Sequence, residues 1–375
     1  MKTKLLHVLF FFSLFIFNYS FSQTQIPDPI FEQYLIDEGY DTAPIDGSVP
    51  TANIVNVTIV DLGFTGVSDL TGIEDFTALT DLYAYNNSIS SLDLSSNTAL
   101  TYLSISSNPL SGLDLSNNIA LHTLIASVAS LNSLDLSNNI ALTQLYVDGN
   151  SLNDLNLSNN TVLTYLEASY NTGLTSLDIS TNTELIHLSI NNTSISSVNV
   201  STNTALTTLF TYNMPLSSLD VSTNSALSYL ITSDTPLSSL DLSNNSVLTG
   251  FSGTNTPNLD CITVADANAA TAGTGIYIYW QKDVDDTYSE DCDALSLLDF
   301  DISKVYVGPN PIKDELDIVL NNLAILNNVS LFDITGKLIL KSISTNISTS
   351  YIESGLYLVK ITTDKGSFTK KLVKN

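Results

Sequence analysis

The sequence contains no arginine, and between Lys4 and Lys282 it contains no lysine either. A nucleic-acid groove or a patch for anionic membrane needs the opposite sign of charge, so that interval excludes both partner classes. Cysteine is limited to Cys261 and Cys292, and Trp280 is the single tryptophan. Two thiols are too few for a structural zinc site without histidine, and His122 and His187 fall in different columns three repeats apart. No Gly-rich phosphate loop and no calcium-loop spacing of Gly and Asp occurs, so neither a metal nor a cofactor is expected. After the amino terminus no apolar run is long enough to span a bilayer.

What is present is a chain of 375 residues, 43% hydrophobic and 13% charged, with a formal net charge of -26. That is ample for a buried core and for two or three domains. Residues 1–22 begin with Lys2 and Lys4, continue through the apolar run Leu5 to Phe17, and end in the small residues Ser20 and Ser22. This is the pattern of a secretory signal peptide, and the run is short for a membrane anchor. In the oxidising compartment that export implies, pairing of Cys261 with Cys292 is favoured.

Residues 23–69 read as an amino-terminal cap. Within Ile26 to Tyr40, Pro29 suits a first helical turn, Phe31, Tyr34 and Leu35 share one face, and Gly39 suits the stop. Such a helix would cover the apolar end of a stack that water would otherwise reach. Ile54 to Leu62 reads as the first strand.

A repeat follows over residues 70–257. Leu92, Leu113, Leu134 and Leu155 are spaced by 21, Leu177 follows after 22, and Val198, Leu219 and Leu240 resume the 21. The extra residue falls at Gly173. Each copy has a first half LxxLxxxxxxL, as in Leu142, Leu145 and Leu152, and a second half LxLSxN, as in Leu155, Leu157, Ser158 and Asn160. Alternate residues of an extended segment point to opposite faces, which predicts a short strand in each half, stacked coil on coil at about 4.8 Å. Asn recurs from Asn97 to Asn245, where an inward amide can both donate to and accept from the backbone groups of a buried turn.

These motifs resemble the bacterial leucine-rich repeat family in its short form, LxxLxxxxxxLxxLDLSxNxxL, from about Leu70 to Leu259. The resemblance implies a mostly β, parallel, leucine-lined solenoid and says nothing specific about a ligand.

Comparing the copies separates scaffold from surface. In the second half the outward residue is nearly fixed: Asp93, Asp114, Asp135, Asn156, Asp178, Asn199, Asp220, Asp241. Asx turns to neighbouring serines explain that column better than weak cation binding does. In the first half the outward residues differ, running Tyr83, Ser104, Ile125, Tyr146, Glu167, Ser189, Phe210, Ile231. Two residues on stand Tyr85, Ser106, Ser127, Asp148, Ser169, Asn191, Tyr212 and Ser233, and a flanking column adds Tyr102, Tyr165 and Tyr229. A scaffold that freezes one side and diversifies the other points to a ligand face, with these aromatics as anchors and the polar residues as adaptable hydrogen-bonders. Drift of a tolerated surface produces the same variety without a ligand. Asp148 and Glu167, on adjacent coils, could also approach the roughly 5 to 9 Å of a glycosidase pair, but a chance acidic pair is expected here and no catalytic residue is assigned.

Residues 258–293 decay from the repeat. Through Cys261-Ile-Thr-Val, Trp280-Gln-Lys-Asp and Tyr288-Ser-Glu-Asp-Cys292 they resemble the disulfide cap of secreted bacterial leucine-rich repeat proteins, and a Cys261–Cys292 bridge would lock them. Trp280 reads as core rather than as a sugar platform.

Residues 294–303 read as a linker. From Asp301 onward nine lysines face seven acids, and short strands separated by Gly336, Gly355 and Gly366 predict a small antiparallel β-sandwich. Val307-Gly-Pro309-Asn310-Pro311, Leu316-Asp-Ile318, Asp333-Ile-Thr-Gly336-Lys337, Gly355-Leu-Tyr357 and Lys370-Lys371-Leu-Val-Lys374 resemble the type A carboxyl-terminal sorting domain of type IX secretion cargo, over residues 304–375. Gly308 stands where that family usually has Tyr. The resemblance implies a partner in the type IX machinery, export across a Gram-negative outer membrane, then removal of the tail and release or surface attachment.

The expectation is therefore a monomeric, non-enzymatic, secreted or cell-surface protein that binds a protein or glycan through the varied face. The alternatives are a passive structural or adhesive surface protein without a specific ligand, and a carbohydrate-active enzyme.

Overall fold

The computed structural model describes residues 22–292, 306–320, 325–363 and 366–375. The signal-peptide expectation, apart from Ser22, and the linker at 294–303 lie outside the described residues. The chain divides into two compact units, Met1–Glu290 and Asp291–Asn375. Among the described residues no helix is long and apolar enough to cross a membrane.

The first unit is a solenoid. Its short strands, Ile59–Asp61, Asp81–Tyr83, Tyr102–Ser104 and onward to Gly250–Gly253 and Gln281–Lys282, pair side by side in one parallel sheet of 11 strands among the described residues. The register is in phase with the repeat. Leu103 pairs with Leu124, Leu124 with Leu145 and Leu145 with Leu166, and all four are fully buried. The middle residue of every strand thus points into the core while its two neighbours point out, which makes one continuous presenting surface. Gly173 accommodates the longer coil. A Cβ there would stand 2.1 Å from Asn153 Oδ1, so only glycine fits without moving Asn153.

The repeat spacing predicts strands in both halves, and the structure forms them in the first half only, until the last coils. There Leu240–Asp241, Cys261–Thr263 and Thr287–Ser289 pair in parallel. Asx turns run along this whole side. Ser95, Ser116, Ser137, Ser180, Ser222 and Ser243 give their N–H to the Asp two residues earlier at 2.9 Å, not to a neighbouring coil. Asn156 and Asn199 keep the same turn at 3.1 and 3.0 Å. The hydroxyl and N–H of Ser95 hold the Asp93 carboxyl below its ordinary range, and Ser116, through its N–H and then its hydroxyl, does so for Asp114.

Coil-to-coil bonding in the second half passes instead to the asparagine ladder. Asn118 Nδ2 donates to Leu94 O at 3.1 Å and Asn97 O at 3.0 Å, and Asn139, Asn160 and Asn203 repeat the pattern on their own preceding coils. The amide only donates. Its Oδ1 has no protein donor, because the turn N–H groups are already spent on backbone carbonyls, as in Leu121 N to Asn118 O. A second ladder lines the first half, where Asn108, Asn150 and Asn171 accept from Ile89, Leu131 and Leu152 N–H and donate to Ala84, Ala126 and Val147 carbonyls.

The amino-terminal cap is a helix, Pro29–Asp37, whose Phe31 ring packs on Phe76 of the first coils at 5.9 Å. Gln23–Gln25 pairs antiparallel with Ser48–Pro50, a pairing the sequence did not suggest, and the first solenoid strand is confined to Ile59–Asp61 because Thr51–Ile54 is helical. Asp28 joins cap to solenoid. One carboxylate oxygen caps the helix at Ile30 and Phe31 N–H, and the other accepts from Ser68 N, Ser68 Oγ and Asp69 N at 2.8 to 3.1 Å. Burial raises this carboxyl, but the donors outweigh it and hold its pKa below the ordinary 3.8. Its folded pKa being depressed, the stabilisation is fully present above the unfolded pKa and lost as pH falls through the folded one. Asp28→Asn is accordingly expected to cost about 2 kcal/mol near neutral pH and progressively less below about pH 4. Thermal melts from pH 7 to 2 check this, and a pH-independent difference would count against it.

At the other end, Ala267–Ala272 forms a short helix, and Trp280 packs against Phe251, Tyr277 and Tyr288 while its indole N–H donates to Leu248 O at 2.9 Å. Trp280 is thus a core residue. Cys261 and Cys292 form a disulfide.

The second unit holds two antiparallel sheets. Tyr306–Gly308, Glu315–Val319 and Asn346–Ser348 form one. Leu338–Ser342, Leu326–Asp333, Gly355–Thr363 and Gly366–Lys374 form the other. Val307, Leu316, Ile318 and Ile347 of the first share one core with Val329, Leu331, Val359 and Ile361 of the second.

Candidate ligand-binding face

The solenoid sheet brings part of the aromatic set into one run. Tyr146 ends one strand and Tyr165 begins the next, so their rings meet diagonally across the pair, with centroids 4.8 Å apart and 29° between planes. Tyr165 then stacks on His187 at 4.1 Å and 4°, and His187 meets Phe210 edge to face at 5.6 Å. The strand spacing of about 4.8 Å is close to a ring-stacking distance, so outward rings on successive coils lie face to face. His187 Nε2 also lies 2.8 Å from Glu167 Oε1, and the Tyr165 hydroxyl donates to the same oxygen at 3.3 Å.

Burial raises the Glu167 carboxyl, but hydrogen bonds from His187, Ser189 and Tyr165 outweigh it and leave the pKa lowered. The phenols shift the other way. Tyr165 is pushed up to about 12 by burial and then by the charge of Glu167, and Tyr146 and Tyr212 are raised by burial first with Glu167 contributing. The charge of Glu167 thus adds to burial at three rings.

The other anchors stand apart from this run. Tyr83 and Tyr102 pair at 4.8 Å toward the amino-terminal end, and Tyr85 meets Phe64 edge to face at 5.2 Å. Tyr229 lies over Gly250, where a Cβ would meet its ring at 2.5 Å. Asp148 accepts from Ser127 Oγ at 2.5 Å and Glu167 is bound to His187, so each carboxylate has its own partner.

Two contributors escaped the sequence reading. His187 was weighed only as a metal ligand, although allowing for the extra residue at Gly173 places it in the column of Tyr102, Tyr165 and Tyr229. The second is a column of left-handed residues flanking the face, with Phe64, Val128 and Tyr170 at φ 58°, 52° and 58°. In the other coils the same place holds Asn86, Ser107, Gly149, Asn192, Asn213, Asp234 and Asn255, and that 21-residue phase was the available signal. On the fixed side lie only shallow depressions, such as one of about 330 Å³ between Asp69, Glu74 and Asp93.

In the tail the two ends of the sorting pattern meet. Asn310, between Pro309 and Pro311, donates to Lys371 O at 3.3 Å and accepts from Val373 N at 2.8 Å, and Lys370 Nζ donates to Val307 O at 3.4 Å. Gly336 takes φ 83° in the turn before Lys337, whose N–H donates to Asp333 Oδ1 at 3.0 Å. Gly355 begins the strand that carries Tyr357, whose hydroxyl donates to Glu353 O at 2.9 Å. Tyr306 fills the space left at Gly308, its phenol oxygen 2.7 Å from where a Cβ would stand.

Residues 304–375 match the family model of the secretion system C-terminal sorting domain. The chain is a leucine-rich-repeat-type solenoid followed by a secretion sorting tail. This tail of the type IX system implies export, to the cell surface or beyond it, and the secretion machinery as a partner. The structure is similar to that of an internalin, InlF, of Listeria monocytogenes, with 21% identity, 73% of this chain and 94% of the other covered, and a TM-score of 0.52. The functional domain of InlJ from Listeria monocytogenes aligns over 94% of this chain and 99% of the other, at 18% identity and a TM-score of 0.49. At these identities the likeness to InlF establishes the fold alone. No curated protein matches the sequence.

Proposed function

We propose that this exported leucine-rich repeat protein acts by binding, with the varied face of its solenoid as the surface for a protein or glycan ligand. The observation that carries the reading is the division between its two sides. On one side Asx turns repeat from Asp93 to Asp241. On the other, the outward columns change from coil to coil and hold a run of rings from Tyr146 to Phe210. Rigid aromatics beside small polar residues suit recognition, because they offer contact area at little entropic cost. Catalysis by Asp148 and Glu167 is not favoured, since each carboxylate is bonded to a partner of its own, Ser127 and His187.

Replacing Tyr83, Tyr146, Tyr165 and Tyr212 together by Ser is expected to abolish capture on a protein and glycan array, by tenfold or more for any ligand that wild type retains. Unchanged capture and unchanged cell adhesion would favour a passive structural protein. Whether the tail is then removed, and the solenoid released or attached, is a separate step that mass measurement of the exported protein reads directly.

A further inference from the structure

The sorting tail has a sheet face turned away from its own core. Its four-stranded sheet points Val329, Leu331, Val359, Ile361 and Leu372 into the core shared with the other sheet, and alternate residues point outward. Register places the outward residues in rows across the sheet. Ser330 pairs with Lys341 and Lys360, and Lys360 with Thr369. In the next row Phe332 pairs with Leu338 and Leu358, and Leu358 with Lys371. Leu356 and Val373 pair in the last row. Leu338, Leu358, Leu356 and Val373 are 49%, 41%, 38% and 37% exposed, and the three lysines beside them are exposed as well.

Charge divides the sandwich in two. Among the described residues the outer face of the four-stranded sheet carries no carboxylate. Glu315 and Asp317 stand on the outer side of the three-stranded sheet, where Asn346 Nδ2 donates to them at 3.3 and 2.6 Å. Asp333 accepts from the N–H groups of Thr335 and Lys337 in its turn, and Asp314 and Glu353 lie in loops. A contiguous exposed apolar patch with a polar rim is the composition of an interaction surface, and here the rim has one sign.

We propose that this outer face, with Leu338, Leu356 and Leu358 at its centre and Lys341, Lys360 and Lys371 at its rim, docks the tail onto an aliphatic surface rimmed by carboxylates on the secretion machinery. The sorting-domain match over residues 304–375 supplies the kind of partner, and charge complementarity supplies its chemistry. The area suits a carrier that has to let its cargo go. Strands about 4.8 Å apart and outward rows about 6.8 Å apart make a patch roughly 15 Å on a side, a few hundred Å² against the about 800 Å² per partner of a lasting complex.

Two other occupants fit less well. A second copy of the tail, paired face to face, would set the lysines of one copy against those of the other with no acid to neutralise them, over an area too small to hold a dimer. An anionic lipid surface would draw the same lysines, but it rewards apolar side chains that reach into the acyl layer. The aliphatic side chains here are less than half exposed and lie flush with the sheet.

The test expresses the full-length chain in a Gram-negative host with a working type IX system and measures the exported fraction. Lys360→Glu should lower export about tenfold, because it sets like charge against like at the centre of the basic row. Leu358→Thr, which keeps a strand-forming side chain, should lower it about fivefold. Lys313→Glu, the same reversal at an exposed lysine off this face, should change export less than about twofold. Each purified variant should melt within about 2 °C of wild type, which separates lost docking from a lost fold. Full export of both Lys360→Glu and Leu358→Thr would overturn the proposal, and so would an equal loss with Lys313→Glu, which would show dependence on net charge alone. Wild type that floats with phosphatidylglycerol vesicles at 0.15 M NaCl, while Lys360→Glu does not, would assign the face to lipid, and a sedimenting dimer lost in Leu358→Thr would assign it to a second copy; either result removes the machinery as occupant. The solenoid reading is tested apart from this one, since both variants should capture on the array whatever wild type captures.

Discussion

Asn160→Leu is expected to lower the unfolding free energy by about 2 kcal/mol, although it replaces one side chain by another of similar size. Asn160 is fully buried, and its amide donates to Leu136 O at 3.2 Å and Asn139 O at 2.9 Å. Leucine removes one of the two donors from each carbonyl, leaving Leu136 O to the N–H of Asn139 and Asn139 O to the N–H of Leu142, and so loses two buried hydrogen bonds at about 1 kcal/mol each. The neighbouring Asn159 gives a control. It is exposed and makes one bond, to Ser137 O at 2.9 Å, so Asn159→Ala should cost less than about 1 kcal/mol. Urea unfolding of both variants checks the contrast. Because each coil touches only its neighbours, a break at this central coil should also reduce the dependence of unfolding on urea, as the two halves begin to unfold separately. Equal losses for Asn159→Ala and Asn160→Leu would refute the ladder as the bond between coils.

The same ladder shows how much of the molecule was legible beforehand. Leucine spacing fixes which residues face inward, and it located the sheet, its register and the inward Asn column, because burial repeats with the sequence. It did not say which way each amide bonds, since that depends on which turn N–H groups the backbone has already used. Strand formation in the second half was misread because an LxL alternation describes side-chain direction, while a ladder also needs backbone pairing, which on this side only the last coils supply, from Leu240–Asp241 to Thr287–Ser289. At the varied face, the columns of Tyr83 and Tyr85 were readable from the period alone. The stack of Tyr165 on His187 was not, because the longer coil at Gly173 shifts His187 by one place and a lone histidine invites a question about metals. Tyr170 was missed because its interest lies in its backbone angle, which only comparison with Asn86 or Asn192 at the same phase would have raised.

Removing the disulfide through Cys261→Ser with Cys292→Ser should cost about 3 to 4 kcal/mol, read as a lower and broader thermal transition. Thirty residues lie between the two cysteines, and closing a loop of that length restricts the unfolded chain by about that amount. The loss should be felt locally. The segment inside the loop carries the helix Ala267–Ala272, the Trp280 cluster and the strand Thr287–Ser289 that pairs with Cys261–Thr263. These elements cover the end of the solenoid core at Phe251 and Leu259, which water would otherwise reach. Without the bridge, hydrogen exchange should therefore accelerate first at Gly250–Gly253 and Cys261–Thr263, while strands such as Gln144–Tyr146 at the centre keep their protection. Reductant should shift the wild-type transition to the position of the double variant and leave the variant unmoved. A wild type indifferent to reductant would show that packing around Trp280 closes this end without the covalent link.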